Sequence, residues 1–135
     1  MIIKITPDKE KAQSMVEMAE NRLKFLSEPI DFPPTIKSEN YYEIIKELLS
    51  AFLLIKGLKT IGEYAHKELI EEAGKFNLLE DFELAIIDDL RIKRNKSSYE
   101  GKEIEKEYIN NNEERLKLII ENLKKIINKE LNELK

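Results

Sequence analysis

The chain has 135 residues, of which 41% are hydrophobic and 37% are charged, and its formal net charge is −4. This composition predicts a single folded domain over residues 1–135 and excludes a disordered chain, and the negative charge argues against nucleic-acid binding through the whole surface. The absence of cysteine excludes disulfides, thiolate metal ligands and cysteine nucleophiles. The longest apolar run, Ala51 to Ile55, is too short to span a bilayer, and no signal-peptide pattern opens the chain. We therefore expect a cytoplasmic protein without a membrane partner.

An extended arm followed by a helix is predicted at the N-terminus. Residues 1–5 alternate weakly between apolar and polar side chains. Residues 6–8, Thr-Pro-Asp, then offer a capping hydroxyl, a proline at the first helical position and an acid in the first turn. Apolar residues at three- and four-residue spacing continue this helix to about Leu26.

The next predicted elements are a loop and the most apolar helix of the chain. Residues 27–38 hold three prolines and are predicted to form a loop, with Ile30 and Phe32 packed on the core. Ser38 is expected to cap a second helix that ends near Gly57. Because this helix is apolar on most of its circumference, we expect it to be the central helix of the fold.

The second half of the chain predicts three more helices. The Thr-Ile-Gly-Glu sequence at 60–63 fits a capping box, and it opens a third helix that Gly74 closes. The Asn-Leu-Leu-Glu sequence at 77–80 fits another box and opens a fourth helix. The predicted inner face of the fourth helix consists of Leu79, Phe82, Ile86, Ile87 and Leu90.

The last predicted helix starts near Asn111, which with Glu114 forms a further capping pair, and it runs to the C-terminus. The pattern as a whole predicts an all-α bundle of four main helices plus one short helix. The second and last helices carry more apolar surface than short helices need to cover one another. We therefore expect a homodimer that forms through a long helix face.

The stretch RIKRNKSSYEG, from Arg91 to Gly101, follows the fourth helix pattern and has two interpretations. In the first, Asn95 and Gly101 end the helix, and the arginines pair with acids, as Asp88 and Arg91 can at i,i+3 spacing. In the second, Arg94 and Asn95 line a cleft beside the fourth helix, where a guanidinium grips phosphate through a forked pair of hydrogen bonds.

Other polar residues predict structure more than chemistry. His66 is the only histidine, and Glu63 and Glu68 beside it do not make a recognisable metal-ligand set, so we interpret it as a structural or surface residue. Ser97 and Ser98 are interpreted as hydroxyls that satisfy backbone groups at a helix end, because the single histidine lies in another helix. We expect no metal ion and no other cofactor.

Two adjacent tyrosines, Tyr41 and Tyr42, open the most apolar helix. Tyrosine rings bury well, but their hydroxyls need a partner. We interpret both as core residues with hydroxyls at the rim of the core. The alternative is that one hydroxyl reaches the end of the fourth helix that carries Arg91 and Arg94.

Three stretches together resemble the HEPN superfamily, the higher eukaryotes and prokaryotes nucleotide-binding domain. They are Tyr-Tyr-Glu-Ile-Ile-Lys at 41–46, Leu-Lys-Thr-Ile-Gly at 58–62, and Asp-Leu-Arg-Ile-Lys-Arg-Asn-Lys-Ser-Ser-Tyr-Glu-Gly at 89–101. The chain is most similar to small stand-alone archaeal and bacterial members, from Tyr41 to its end. The resemblance implies an up-and-down bundle whose dimerisation brings two copies of the motif into one cleft. It also implies that the chain is similar to metal-independent ribonucleases, and to toxins paired with a small nucleotidyltransferase.

The motif of the nuclease members is incomplete in this chain. Those members use an Arg, a following polar residue, four to six residues and then a His; Arg94 and Asn95 match its first part. Tyr99 stands where the shortest spacing would put the His, and a phenol titrating near pH 10 is a poor base at neutral pH. The chain has therefore lost hydrolysis, works slowly through Tyr99 assisted by Arg94, or uses the cleft only for binding.

From the resemblance we expect a HEPN-like homodimer that binds a nucleotide or RNA phosphate in the dimer cleft, within a toxin–antitoxin or defence module. A small nucleotidyltransferase is the expected partner protein. Two alternatives are a weak metal-independent endoribonuclease and a non-catalytic helical interaction module. The residues expected at the site are Arg91, Arg94, Asn95, Lys96 and Tyr99, with Arg94, Asn95 and Tyr99 as the catalytic group of any enzyme.

Overall fold

A computed structural model describes residues 1–134, and the fold in this range is mostly helical, as predicted. The elements in chain order are β1 (Ile2–Lys4), α1 (Lys9–Leu26), α2 (Pro34–Ile55), β2 (Leu58–Thr60), α3 (Ala65–Lys75), α4 (Asp81–Glu100) and α5 (Lys106–Glu133). Four helices are long, and α3 is the short one. Among the described residues, no helix combines the length and the apolar character needed to cross a membrane.

Helix α2 is the centre of the fold, which confirms the expectation for the most apolar helix. It packs against α1, α3, α4 and α5, and Ile44, Leu48 and Ala51 are fully buried. Burial on every side explains why its apolar residues do not follow a single stripe. Each buried Leu or Ile side chain contributes roughly 1.5–3 kcal/mol of transfer free energy.

The N-terminal arm is a β-strand, and its partner is a second strand that the sequence pattern did not predict. β1 pairs antiparallel with β2, in the register Ile2 with Thr60, Ile3 with Lys59 and Lys4 with Leu58. The capping-box prediction at 60–63 is therefore wrong, because Thr60 belongs to this ribbon and α3 begins only at Ala65. Gly74 lies inside α3, which ends at Lys75.

Gly57 joins α2 to β2 in a conformation that requires glycine. Its φ is +72°, and its carbonyl oxygen accepts a hydrogen bond of 2.8 Å from the amide of Ile5. A Cβ at this position would lie 2.8 Å from the carbonyl oxygen of Ile5 and 3.3 Å from the ring of Pro7. The close approach of the two backbones fixes where the ribbon lies on the helices.

Several predicted helix starts are corrected by the structure. α1 begins at Lys9, and Asp8 rather than Thr6 is its cap, since an Asp8 carboxylate oxygen accepts the amide of Lys11 at 3.0 Å. Pro34 occupies the first position of α2, where its missing N–H is not needed, so the loop spans 27–33 and not 27–38.

The predicted cap of α2 and one predicted core contact of the loop are also wrong. Ser38 does not cap α2 but is buried inside it. Ile30 is 57% exposed, whereas Phe32 is buried as predicted, with its ring 4.7 Å from that of Phe25.

The last two helices are longer than predicted. α4 opens with a capping box between Glu80 and Glu83, three residues after the predicted one, and this register leaves Phe82 58% exposed instead of buried. It continues through Asn95 to Glu100 and ends at Gly101, which has a left-handed conformation. α5 begins at Lys106 and runs through the three asparagines at 110–112 without a break, so Asn111 is not a cap.

The apolar faces on which we expected dimerisation are covered within the chain. The stripe of α5 is buried and packs against α2 and α1, while α2 is enclosed by the other helices. The exposed apolar side chains lie elsewhere, and the largest exposed fractions among those of α4 and α5 are Phe82 58%, Ile92 40%, Tyr99 80% and Leu118 64%.

Candidate functional site

A cleft of about 380 Å³ lies between one face of α4 and the start of α3. Arg91, Asn95 and Tyr99, spaced four residues apart on α4, line one wall, and residues 62–67 with His66 among them line the other. The stretch RIKRNKSSYEG is helical up to Glu100, so helical spacing, and not a loop, brings these three residues together.

The guanidinium of Arg91 is the cationic group of this wall. Its Nε donates a 2.9 Å hydrogen bond to the carboxylate of Asp88, one turn earlier, which is the i,i+3 pair that the sequence predicted. Within residues 1–134 this is the only hydrogen bond of the Arg91 side chain. The N–H groups of its two terminal nitrogens therefore have no hydrogen-bond partner among the described residues. The side chain is only 16% exposed, so most of it is held in place by the residues around it, and it lines the cleft.

His66 contributes an imidazole that our sequence interpretation did not place at the site. Its ring centroid lies 6.1 Å from that of Tyr42, so the residue marks the contact between α3 and α2. Loss of hydration there lowers the pKa of His66 below its ordinary value, and the positive charges of Lys46, Arg94 and Arg91 lower it further, against the opposing effect of Glu43. The imidazole is therefore neutral at pH 7 and can accept a proton.

The spacing of His66 from the apolar residues of α3 could have indicated that it faces the other helices. It precedes Leu69 by three residues and Ile70 by four, and Leu69, Ile70 and Ala73 are the buried residues of α3. His66 therefore lies on the same side of α3 as these buried residues, one turn before them, although His66 itself is exposed.

Arg94 lines a different pocket and has a structural environment. One terminal nitrogen lies 3.4 Å from the Glu43 carboxylate, the other donates to the side-chain oxygen of Asn95 at 3.4 Å, and the guanidinium lies 5.4 Å from the Tyr42 ring centroid. Arg94 lines a separate polar pocket of about 180 Å³ together with Arg22, Glu39, Asn40, Glu43 and Ser98.

The five predicted site residues are therefore divided among three sides of α4. Arg91, Asn95 and Tyr99 share the cleft, and Arg94 lies on the side that packs toward α2. Lys96 lies on a third side, in a pocket of about 210 Å³ with Lys93 and Lys102. A contiguous motif along a helix cannot face one site, because neighbouring residues differ by about 100° around the axis.

The two tyrosines of α2 are buried, and neither hydroxyl reaches the arginines. The Tyr41 hydroxyl donates a 2.6 Å hydrogen bond to Glu113 on α5. Burial raises the pKa of Tyr42 to about 12, although Arg94 and Arg91 oppose the shift. The ring of Tyr42, and not its hydroxyl, contacts Arg94. Ser97 does not satisfy a helix end either, since its hydroxyl donates to Glu39 at 3.4 Å.

In the described part of the chain, no group of three or more His, Asp or Glu side chains is arranged to hold a metal ion. Comparison of the chain with protein-family models, with curated proteins and with solved structures finds no match. The chemistry of the cleft residues is therefore the basis for the functional argument.

Proposed function

We propose that this chain is a HEPN-like domain, with an up-and-down bundle, that binds a nucleotide or RNA phosphate in the cleft between α3 and α4. The proposal rests on the Arg91 guanidinium, whose terminal N–H groups have no hydrogen-bond partner among the described residues. Arg91 lines a cleft of about 380 Å³ together with Asn95 and Tyr99. Pockets for small ligands are typically about 300–1,000 Å³, and a guanidinium edge binds two phosphate oxygens at once. The proposed context is a toxin–antitoxin or defence module with a small nucleotidyltransferase partner.

A homodimer is part of this proposal, and α4 supplies the surface for it. Phe82, Ala85 and Ile92 are exposed and lie on one face of α4, since Ala85 follows Phe82 by three residues and Ile92 follows Ala85 by seven. In an antiparallel pair of α4 helices, Phe82 of one copy would meet Ile92 of the other, as a two-fold interface requires. The two Arg91 positions would then be separated by roughly 12 Å along the helix axis, so the two clefts would be neighbours. Tyr99, two turns beyond Ile92, remains outside this contact.

We expect a dimer at micromolar concentration in sedimentation equilibrium. Phe82→Glu and Ile92→Glu should each convert it to a monomer, since they place charge in an apolar contact and neither side chain belongs to the hydrophobic core. Leu118→Glu is the matched control, because Leu118 is 64% exposed on α5, and it should leave the dimer intact. A wild-type monomer would contradict the dimer and with it the neighbouring pair of clefts.

A matched pair of arginine variants tests the binding site. Arg91→Gln should weaken binding of a labelled oligoribonucleotide by about 1.5–3 kcal/mol, the value of a hydrogen bond to a charged group, as measured by fluorescence anisotropy. Arg94→Gln should instead lower the melting temperature, because it breaks the pair with Glu43 and the contact with Tyr42, and it should leave binding nearly unchanged.

Weaker RNA binding by Arg94→Gln, with unchanged binding by Arg91→Gln, would instead assign the site to the pocket of Arg94. If neither variant nor the wild type binds RNA or nucleotides, the non-catalytic helical interaction module becomes the better description of the chain.

His66 favours a second candidate function, a metal-independent endoribonuclease. A neutral imidazole in the cleft supplies the base that the incomplete motif lacks. In this reaction His66 takes the proton of a ribose 2′-hydroxyl, the 2′-oxygen attacks the adjacent phosphorus, and the bond from phosphorus to the 5′-oxygen breaks. The leaving 5′-oxygen takes a proton from water, the imidazolium of His66 gives its proton to the resulting hydroxide, and a 2′,3′-cyclic phosphate remains. Arg91 would stabilise the negative charge that develops on the phosphoryl oxygens.

A further inference from the structure

The tyrosines of this chain fall into two groups that differ in exposure. Tyr41, Tyr42 and Tyr108 are buried, with exposed fractions of 8% or less. Tyr64 and Tyr99 are 64% and 80% exposed, and both line the cleft that contains Arg91. The chain comprises 5 tyrosines, so every tyrosine ring outside the core lies at this one cleft.

The two exposed rings come from opposite walls. Tyr64 directly precedes α3, and Tyr99 lies in the last turn of α4, two turns beyond Arg91. Neither residue contributes to the buried core, so the exposed area of the rings is not explained by packing. Aromatic faces beside a cationic group are the arrangement with which proteins hold unpaired bases, each base stacking on a ring while its phosphate is bound nearby.

We propose that Tyr64 and Tyr99 are stacking platforms for two unpaired bases, and that the ligand of the cleft is therefore single-stranded RNA. This inference rests on the proposed function, since it assigns to Arg91 the phosphate of the same nucleotides. A duplex does not fit, because its bases are already stacked on one another and present no free face to either ring. The net charge of −4 also leaves the chain without the broad basic surface that follows a duplex backbone.

The test compares three ligands of equal length by fluorescence anisotropy: a single-stranded oligoribonucleotide, a ribose-phosphate oligomer without bases, and a blunt RNA duplex. The wild type should bind the single strand more tightly than the other two ligands. Tyr64→Ala and Tyr99→Ala should each reduce affinity for the single strand by about 5- to 150-fold, the range for loss of one stacked base, and should not change affinity for the oligomer without bases.

Phenylalanine variants provide the control, because stacking depends on the ring and not on the hydroxyl. Tyr64→Phe and Tyr99→Phe should keep the affinity for the single strand within a factor of about 2 of the wild type, since both rings are solvent-exposed and have no packing to lose. Both alanine changes are on the surface, so thermal unfolding should stay unchanged.

Failure of the stacking proposal is distinguishable from failure of the binding proposal. Unchanged affinity in both alanine variants, with weaker binding by Arg91→Gln, would overturn the stacking role and leave the phosphate site in place. Equal affinity of the wild type for single strand and duplex would overturn the assignment to single-stranded RNA. Absence of binding to all three ligands, in wild type and variants alike, would overturn the proposed function itself.

Discussion

Replacement of His66 by glutamine should reduce metal-independent RNA cleavage by about 10²- to 10⁴-fold, the usual contribution of a general base. Glutamine keeps a polar side chain of similar length but cannot take up a proton near neutral pH. The measurement is single-turnover cleavage of an oligoribonucleotide in the presence of a chelator. Since His66 is an exposed residue, its replacement should leave the melting temperature unchanged, which separates loss of chemistry from loss of fold.

The pH dependence identifies the base. Burial lowers the pKa of His66 below its ordinary value of about 6.5, so the unprotonated form increases with pH and predominates at neutral pH. kcat/KM should therefore rise with pH, with a midpoint below that of an ordinary imidazole, about pH 6.5. A rate that is unchanged in His66→Gln and disappears in Tyr99→Phe would assign the base to the phenol instead. Undetectable cleavage by the wild type would reject the ribonuclease function and leave phosphate binding.

Replacement of Gly57 by alanine should lower the free energy of unfolding by about 2–5 kcal/mol. A non-glycine residue with left-handed backbone costs about 1–2 kcal/mol. The added methyl group would also lie 2.8 Å from the carbonyl oxygen of Ile5, and overpacking of this kind costs about 1–3 kcal/mol. Urea denaturation followed by circular dichroism measures the change.

Gly101→Ala is the matched control. Gly101 has nearly the same φ, +67° against +72° for Gly57, but a Cβ there meets no atom within 4 Å. It should therefore show the backbone cost alone, about 1–2 kcal/mol. Equal destabilisation by the two substitutions would contradict the close approach of Gly57 to the backbone of Ile5.

The sequence predicted the helices well and their ends poorly. Apolar residues at helical spacing predicted where the helices lie. The second helix was predicted to be central because its apolar residues cover most of its circumference. Helix ends depend on smaller energies, with several residues competing for each cap. Asp8 replaced Thr6 at the start of α1, and α4 continued past Asn95 to Glu100, where the left-handed Gly101 ends it. The β-ribbon was missed because a pair of three-residue strands depends on contact between distant residues.

Only part of the candidate site was predictable from the sequence. Arg91, Asn95 and Tyr99 lie in one contiguous stretch, so a motif search along the chain finds them. Such a search cannot tell that Arg94 turns toward Glu43 and Tyr42, because orientation around a helix depends on which face is buried. His66 belongs to another helix, and only the packing of α3 against α4 brings it to the cleft.

The two walls of the cleft differ in how they are attached to the molecule, and this has a consequence for motion. Every long helix packs on α2, so amide hydrogens of α2 can exchange with solvent only when the whole domain opens. The wall formed by 62–67 instead follows the ribbon, where the amide of Ile61 donates to the carbonyl oxygen of Met1 at 2.9 Å. This wall belongs to the part of the fold with few buried residues, and it can open locally while the core remains closed. The cleft can therefore widen without any unfolding of the domain.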